Sequence, residues 1–312
     1  MDLGFIIPTK DRPNELRRLL SSLLIQSNKK DRIVVVCSGN KSTFLTLQKL
    51  FLKKVTFLYQ KNSGQVKQRE LGIQKLGRYK WICFLDDDIV LQPDAVRHMR
   101  NYLSSSKNGK LGAVSFNLIN EKKHKKRLFG GIYNSLGIMP ANAGKISSSG
   151  CIGSIAAVEK TIKTEWVVGG ATCWRSSILK NNPNKAPVES WAFAEDVNYS
   201  YPIGKKWDLM VLKKAKALHL HPHSLRPNHW RSTVLERQFF YGYVFNKKYF
   251  PKKLHAFYLH QIFVLLINLY RGVMKRNTGI ISKSSYLILH LLRGPVFIDA
   301  QLQKHSVSRL RI

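Results

Sequence analysis

Apolar runs and amphipathic segments alternate through the first 120 residues, and this rhythm limits the folds open to the chain. Leu3 to Ile7 is a continuous apolar run closed by Pro8 and reads as a buried strand. Asp11, as N-cap, and Pro13, near the first turn, then open a helix in which Leu16, Leu19, Leu20, Leu23 and Leu24 recur at helical spacing. Further strands are expected at Arg32 to Cys37, Val55 to Tyr59, Trp81 to Leu85 and Leu111 to Leu118. Helices are expected at Lys41 to Leu52, Gly64 to Leu76 and Pro93 to Tyr102. Strand and helix in alternation, joined by short links, predict an α/β fold: a mainly parallel sheet with helices on both faces. Ligands of such sheets bind where strands end and strand order reverses, so residues just after strands come first for function.

Asp86-Asp87-Asp88 follows directly on the apolar run Trp81 to Leu85. In an extended chain, residues i and i+2 point the same way. Asp86 and Asp88 are therefore expected to converge, with Asp87 facing away. Two carboxylates at a strand end make a hard oxygen site suited to Mg or Mn, which complete their shells with water and substrate phosphates. Mutual repulsion among three acids is a further reason to expect a cation there.

These residues, together with Ile7-Pro8-Thr9-Lys10-Asp11-Arg12 after the first strand, resemble the DxD glycosyltransferases of the GT-A fold, in particular family two. Asn62-Ser63-Gly64 followed by Arg69 is similar to that family's donor-loop pattern. Trp166-Val167-Val168-Gly169-Gly170-Ala171 with Arg175 resembles its acceptor-side segment, and Glu195-Asp196-Val197 its acidic motif. His219 or His221 falls where a later histidine helps hold the metal and diphosphate. The resemblance runs in order from about Leu3 to His223. It implies that Pro8, Thr9, Asp11 and Arg12 line the nucleotide pocket, with Asn62, Gly64, Arg69, Asp86 and Asp87 also on the donor side. By the same resemblance Asp86 and Asp88, with His219 or His221, hold a divalent metal. Trp166, Gly169 and Gly170 face the acceptor, Asp196 is the catalytic base, and Glu195 supports it. The family inverts the anomeric carbon, so inversion is expected. Cys37-Ser38-Gly39 stands where the family has an acidic residue gripping the base, and no QxxRW follows the acidic motif, which points to a single transfer per event.

Two other classes fit parts of the chain. Asp86-x-Asp88-x-Val90 is similar to the nucleophile motif of haloacid-dehalogenase-type phosphatases, although that motif normally lies on a first strand. The 52 Lys and Arg against 18 Asp and Glu, a net charge of +34, would also suit a nucleic-acid-binding protein. No zinc ligand set or RNP-type segment accompanies that charge, so nucleic acid is not the expected partner.

Domain organisation is expected as a catalytic domain over 1–225 and a basic, apolar helical region over 226–312. Residues 204–312 carry 20 Lys or Arg against three Asp or Glu. Leu254 to Tyr270 has no charged residue, while His260, Gln261, Asn268, Arg271 and Lys275 share one stripe of the helical wheel. One polar stripe in an apolar helix suits a position in a membrane interface rather than across the membrane, and the basic surroundings suit anionic lipid. The stretch Glu121 to Ser149, basic and then Gly- and Ser-rich, reads as a long, partly mobile loop region. Cys37, Cys83, Cys151 and Cys173 form no CxxC and are expected as reduced, buried thiols. With no secretory signal at the N-terminus, a cytosolic enzyme resting on the inner membrane face is expected.

Overall fold

The computed structural model describes residues 1–51, 55–61, 64–123, 130–184, 195–220 and 230–306. The chain forms two compact units. The first comprises residues 1–124, 154–191 and 195–222, and the second residues 125–153, 192–194 and 223–312. The segment 125–153, expected within the first 225 residues as a loop of the catalytic domain, thus belongs to the unit of the C-terminal helices.

The first unit is built on a nine-stranded sheet among the described residues. Its first half follows the alternation in the sequence: β1 (Gly4–Lys10), α1 (Pro13–Leu24), β2 (Arg32–Ser38), α2 (Lys41–Phe51), β3 (Thr56–Tyr59), α3 (Gln65–Leu76) and β4 (Trp81–Leu85). Then come β5 (Ile89–Leu91), α4 (Ala95–Ser105) and β6 (Leu111–Leu118). In the second unit lies α5 (Gly130–Ser135). The sheet unit resumes with β7 (Ile162–Thr164), β8 (Ala171–Arg175), α6 (Ser176–Asn181), α7 (Glu195–Gly204) and β9 (Asp208–His219). Strand order is β3-β2-β1-β4-β8-β6-β9-β5, with β7 also on β9. Order reverses at β1, which has β2 on one side and β4 on the other.

The sheet is less uniformly parallel than expected. β1, β2, β3 and β4 are parallel neighbours, as are β6 and β9. β8 runs antiparallel between β4 and β6, and β5 and β7 run antiparallel to β9. These three strands are five residues or shorter, too short for hydrophobic periodicity to identify.

Each face of the sheet has its own core. Leu16, Leu19, Leu20 and Leu23 of α1 and Val96 and Met99 of α4 pack with Phe5, Ile7, Val35 and Leu85 on one face. Leu76 of α3, Ile178 and Leu179 of α6 and Ile203 of α7 pack with Ile6, Val34, Ile82 and Phe84 on the other. A fully buried leucine contributes about 2 kcal/mol, so α1, with four leucines at or near zero exposure, is held by packing rather than by its ends. All five residues of β4 are buried, and polar side chains first become tolerable where the strand leaves the sheet, at Asp86.

Two local expectations are corrected here. Asp11 is not the N-cap of α1: that position is Arg12, with no side-chain cap bond. Asp11 instead has φ 53° and accepts the Asn40 N–H at 2.6 Å, clamping the end of β1 to the end of β2. Gly39 (φ 89°) makes room for it, since a Cβ there would lie 2.2 Å from Asp11 Oδ2. The four cysteines are not all free. Cys83 and Cys173 stand in register across β4 and β8 and are joined, leaving Cys37 and Cys151 as thiols. That adjacency depends on β8, which the sequence periodicity does not reveal.

The second unit is helical: α8 (Trp230–Tyr249), α9 (Leu254–Met274) and α10 (Thr278–Ser306) surround a core that includes Phe239, Tyr243, Phe257, Leu265 and Leu287. α10 bends at Gly294 (φ 79°), just before Pro295. The loop around Ser149 is tied in by Asn246, whose Nδ2 donates to Ser149 O at 2.8 Å. Gln261 and Leu265 of α9 are buried, whereas Ile262, Phe263, Leu266 and Ile267 are 43–51% exposed. The helix therefore turns part of its polar stripe inward and much of its hydrocarbon outward. Among the described residues it is the one helix, with the turn at Pro251, long and apolar enough to cross a membrane.

Candidate active site

β1 and β4 are parallel neighbours, so their C-terminal ends lie at one edge of the sheet. The acidic triplet forms a tight turn there, with Ile89 N–H donating to Asp86 O at 3.1 Å before the chain reverses into β5. Asp86 N–H donates to Gly170 O at 2.8 Å, which fixes the turn to the start of β8. A Cβ on Gly170 would lie 1.9 Å from Asp86 Oδ2, so only glycine permits this approach.

The three carboxylates have different partners. Asp86 Oδ1 accepts from Arg69 Nη2 at 2.8 Å and from Gln65 Nε2 at 2.5 Å. Asp87, expected to face away while Asp86 and Asp88 converge, turns inward, accepting from Thr9 Oγ1 at 2.7 Å and from Arg12 Nη1 at 2.9 Å, a nitrogen it shares with Asp88 rather than leaving Asp88 to Asp86. Burial pushes its pKa up to about 6 against the pull of Thr9 and Arg12. Asp88 Oδ2 accepts from Arg12 at 3.3 Å. Two guanidiniums thus offset the repulsion among the acids, so repulsion by itself does not call for a metal.

His219 ends β9, and β5 pairs with that strand so that Ile89 faces His219. The pairing brings His219 Nε2 to 3.3 Å from Asp88 Oδ1, while Nδ1 lies 3.0 Å from Glu121 Oε1. Burial opposes charge on the imidazole, but the Asp88 contact, with Glu121 and Asp86 beyond, raises its pKa. Asp88 Oδ1 is buried, with His219 Nε2 beside it. A buried carboxylate oxygen beside an imidazole nitrogen would suit a divalent cation with two protein donors, the rest of its shell being phosphate and water. No group of three or more His, Cys, Asp or Glu among the described residues makes a closed metal cage. Asp86, expected as a ligand, engages Arg69 and Gln65 through Oδ1. His221 lies outside the described residues, as does Asn62.

On the other side of Asp86 a second charged group assembles. Arg69, 7% exposed, bridges Asp86 and Glu195, whose Oε1 lies 3.4 Å from Nη1. Glu195 also accepts from Asn184 Nδ2 at 2.7 Å. Its pKa is raised by burial, against Arg69. Asp196, in the first turn of α7, accepts the Val197 N–H at 2.8 Å. Burial, with Glu195 and Asp86 nearby, pushes its pKa up to about 6. A carboxyl of that pKa is ionised at neutral pH and still basic enough to take a proton. Gly169 lies beside this pair, its Cβ position 3.1 Å from Arg69 and 3.5 Å from Asp196.

Other expected residues are placed differently. Pro8 is buried within β1 opposite Val36, and Gly64 precedes α3, its carbonyl accepting from Gln68 N–H. Trp166 and Trp174 are 6% and 2% exposed, and Trp174 lines the pocket that also includes Asp196. Arg175 lies at the far end of β8, opposite Trp81, with its guanidinium over Trp81 and Trp207. Four strand steps, about 13 Å, separate it from the Asp86 end. Sequence reasoning missed Gln65, Asn184 and Gln68, whose buried Nε2 donates to Thr9 O and Val36 O and ties α3 to the ends of β1 and β2. For Gln65 and Gln68 the one signal was their spacing with Arg69 on one side of α3. The phosphatase alternative requires Asp86 as nucleophile on a first strand, but three strand–helix units precede it.

Residues 5–163, just over half the chain, match the family profile Glycosyl transferase family 2. Among curated proteins the chain is similar to the uncharacterized glycosyltransferase RP339 of Rickettsia prowazekii, with 28% identity over 39% of this chain and 38% of the relative. It is also similar to RC0461 of Rickettsia conorii, with 25% identity over 58% of this chain and 30% of the relative. The matched region thus spans about a third of those relatives' length. Among solved structures, the mannosyltransferase PcManGT of Pyrobaculum calidifontis, in complex with GDP-Man and Mn2+, has a TM-score of 0.52 at 13% identity, covering 98% of this chain and 79% of that one. GalNAc-T7 with UDP, GalNAc and Mn2+ has a TM-score of 0.53 at 12% identity, covering 78% and 50%. At such identity these likenesses establish the fold.

Proposed function

The chain belongs to glycosyl transferase family 2, and on that premise we propose that it transfers one sugar from a nucleotide-sugar donor to an acceptor hydroxyl, with inversion, using the groups around Asp86. The observation that carries this reading is the pair of unlike sites flanking Asp86. On one side stand Asp88, His219 and Arg12, suited to a diphosphate and its counter-ion. On the other stands Asp196, a carboxyl with its pKa at about 6. Two acidic groups driven to different chemistry by their surroundings are a recurrent arrangement for transfer reactions.

Asp88 and His219 would hold a divalent cation; PcManGT is in complex with GDP-Man and Mn2+, and GalNAc-T7 with UDP, GalNAc and Mn2+. When bound, that ion compensates charge growing on the departing diphosphate. Arg12 adds a fixed positive charge on the same side. Asp196 accepts the proton of the acceptor hydroxyl, whose oxygen then bonds the anomeric carbon as the bond to the diphosphate breaks. Arg69 and Glu195 position Asp86 and the start of α7, so the base stays at a fixed place relative to the donor.

The acceptor is a lipid-linked or saccharide hydroxyl in the assembly of a surface polysaccharide or other glycan, and the enzyme rests peripherally on the inner membrane face. The outward hydrocarbon of α9 supports that location, as do the basic residues around it, including Lys252, Lys253, Arg271 and Lys275. A thermal-shift screen with nucleotide sugars, with and without Mn, tests the central reading. One class of donor should stabilise the protein only with Mn, and Asp88→Ala should abolish that effect. Stabilisation indifferent to both metal and substitution would remove the proposal.

A further inference from the structure

A groove of about 370 Å³ runs away from the Asp196 end of the site, and its chemistry differs from that of the donor side. Glu195 and Asp196 line it at one end, and Gly77 and Lys180 at the other. Between them the lining includes Phe84, Val167, Trp174 and Leu179, all buried, with Val66 and Ile73 of α3 forming a half-buried wall. From Arg69 to Gly77 the helix rises about 12 Å, long enough for a chain of several methylenes. The donor side, by contrast, is set by Thr9, Arg12, Asp87, Asp88 and His219, groups that hold charge and hydrogen bonds.

We propose that this groove binds a hydrocarbon chain carried by the acceptor, so that the true acceptor is an amphipathic glycoside rather than a free sugar. The proposal rests on the reading of Asp196 as the base, since the hydroxyl that meets Asp196 must belong to a molecule whose remainder continues away from the donor. Glu70, Gln74, Lys180 and Asn184 also line the groove, but along Phe84, Val167 and Leu179 a polar remainder would leave its hydrogen-bonding groups unmatched. A hydrocarbon removes both its own surface and that wall from water. The volume falls within the range of small-molecule sites.

Binding of methyl, butyl and octyl glucosides, measured by calorimetry below the micellar concentration, tests this without requiring the natural acceptor sugar. The unmodified protein should bind the octyl compound at least tenfold more tightly than the methyl one. Ile73→Glu should erase that preference and Ile73→Leu should keep it. Val66→Glu, nearer the base, serves as a second variant should Ile73→Glu lower the melting temperature. Hydrocarbon adsorbing to the open face of α9 instead would be indifferent to substitutions on α3. An octyl preference that survives both glutamate variants, or no octyl preference at all, overturns the proposal. The donor thermal-shift screen is run on the same proteins. Loss of donor stabilisation in the unmodified protein, with chain-length preference intact, would sink the transferase chemistry and leave the groove standing as a lipid site.

Discussion

Asp196 and Asp88 begin as the same side chain and are driven apart by their neighbours. Asp88 sits beside Arg12 and His219 and is held below its ordinary value despite burial, whereas burial next to Glu195 carries Asp196 up to about 6. Transfer should therefore rise with pH to a plateau, with its half-point near 6, measured as kcat with saturating donor. Asp196→Asn should lower transfer by about 100- to 10,000-fold while leaving the donor thermal shift in place; normal transfer by that variant would show that the base lies elsewhere. Stability gives an independent check. The folded-state pKa of Asp196 is raised, so the folded protein holds its proton more tightly, and stability falls as pH climbs from about 4 to 6. Asp196→Asn should thus melt a few degrees higher than the unmodified protein at pH 7, about 2–4 °C per kcal/mol for a chain of this size, with the gain vanishing below pH 4. Asp196 and its neighbour Glu195 were legible as candidates from the sequence. Its environment was not, because the groups that surround it come from α3 and the end of β4.

At the scale of elements, the meeting of β4 with β8 decides whether the site exists. Gly170 sits at that meeting, with no room for a Cβ beside Asp86. Gly170→Ala should push Asp86 away from Arg69 and lower transfer at least about 100-fold, the scale of a misplaced reacting group, while circular dichroism still reports a folded sheet. Activity close to the unmodified level would mean that the turn adapts and that Asp86 need not be held. α9 supplies the second element-level outcome. Phe263 and Ile267 are 49% and 48% exposed, so Phe263→Ser with Ile267→Ser should cost little stability. The double variant should lose about tenfold or more in binding to phosphatidylglycerol vesicles by sedimentation. Unchanged binding would remove α9 as the contact. The helices α1 to α4 were readable because each repeats its apolar residues over several turns. β5, β7 and β8 were not, since three to five residues carry no period, and they owe their state to the strands beside them.

At the scale of the whole molecule, a net charge of +34 attracts any polyanion, and charge alone does not select a partner. Lipid contact adds hydrocarbon burial to attraction, whereas contact with DNA adds none. Raising salt from 50 to 500 mM should therefore release DNA almost completely and leave a measurable fraction on anionic vesicles. Equal release from both would show that charge does all the binding and that the exposed hydrocarbon contributes nothing.

Local chemistry, written residue by residue, determined the early strands and helices and the acid cluster at the end of a buried strand. Side-chain alternation and the exclusion of charge from a packed sheet act over a few neighbouring residues, so they can be read along the chain. Only the tertiary structure decided which of these acids meets which partner. Arg69 reaches Glu195 across 126 residues of sequence, and His219 reaches Asp88 through the pairing of β5 with β9. Such meetings depend on strand order and register, which are set by how the whole sheet closes on its two cores, and no short stretch of sequence contains that information.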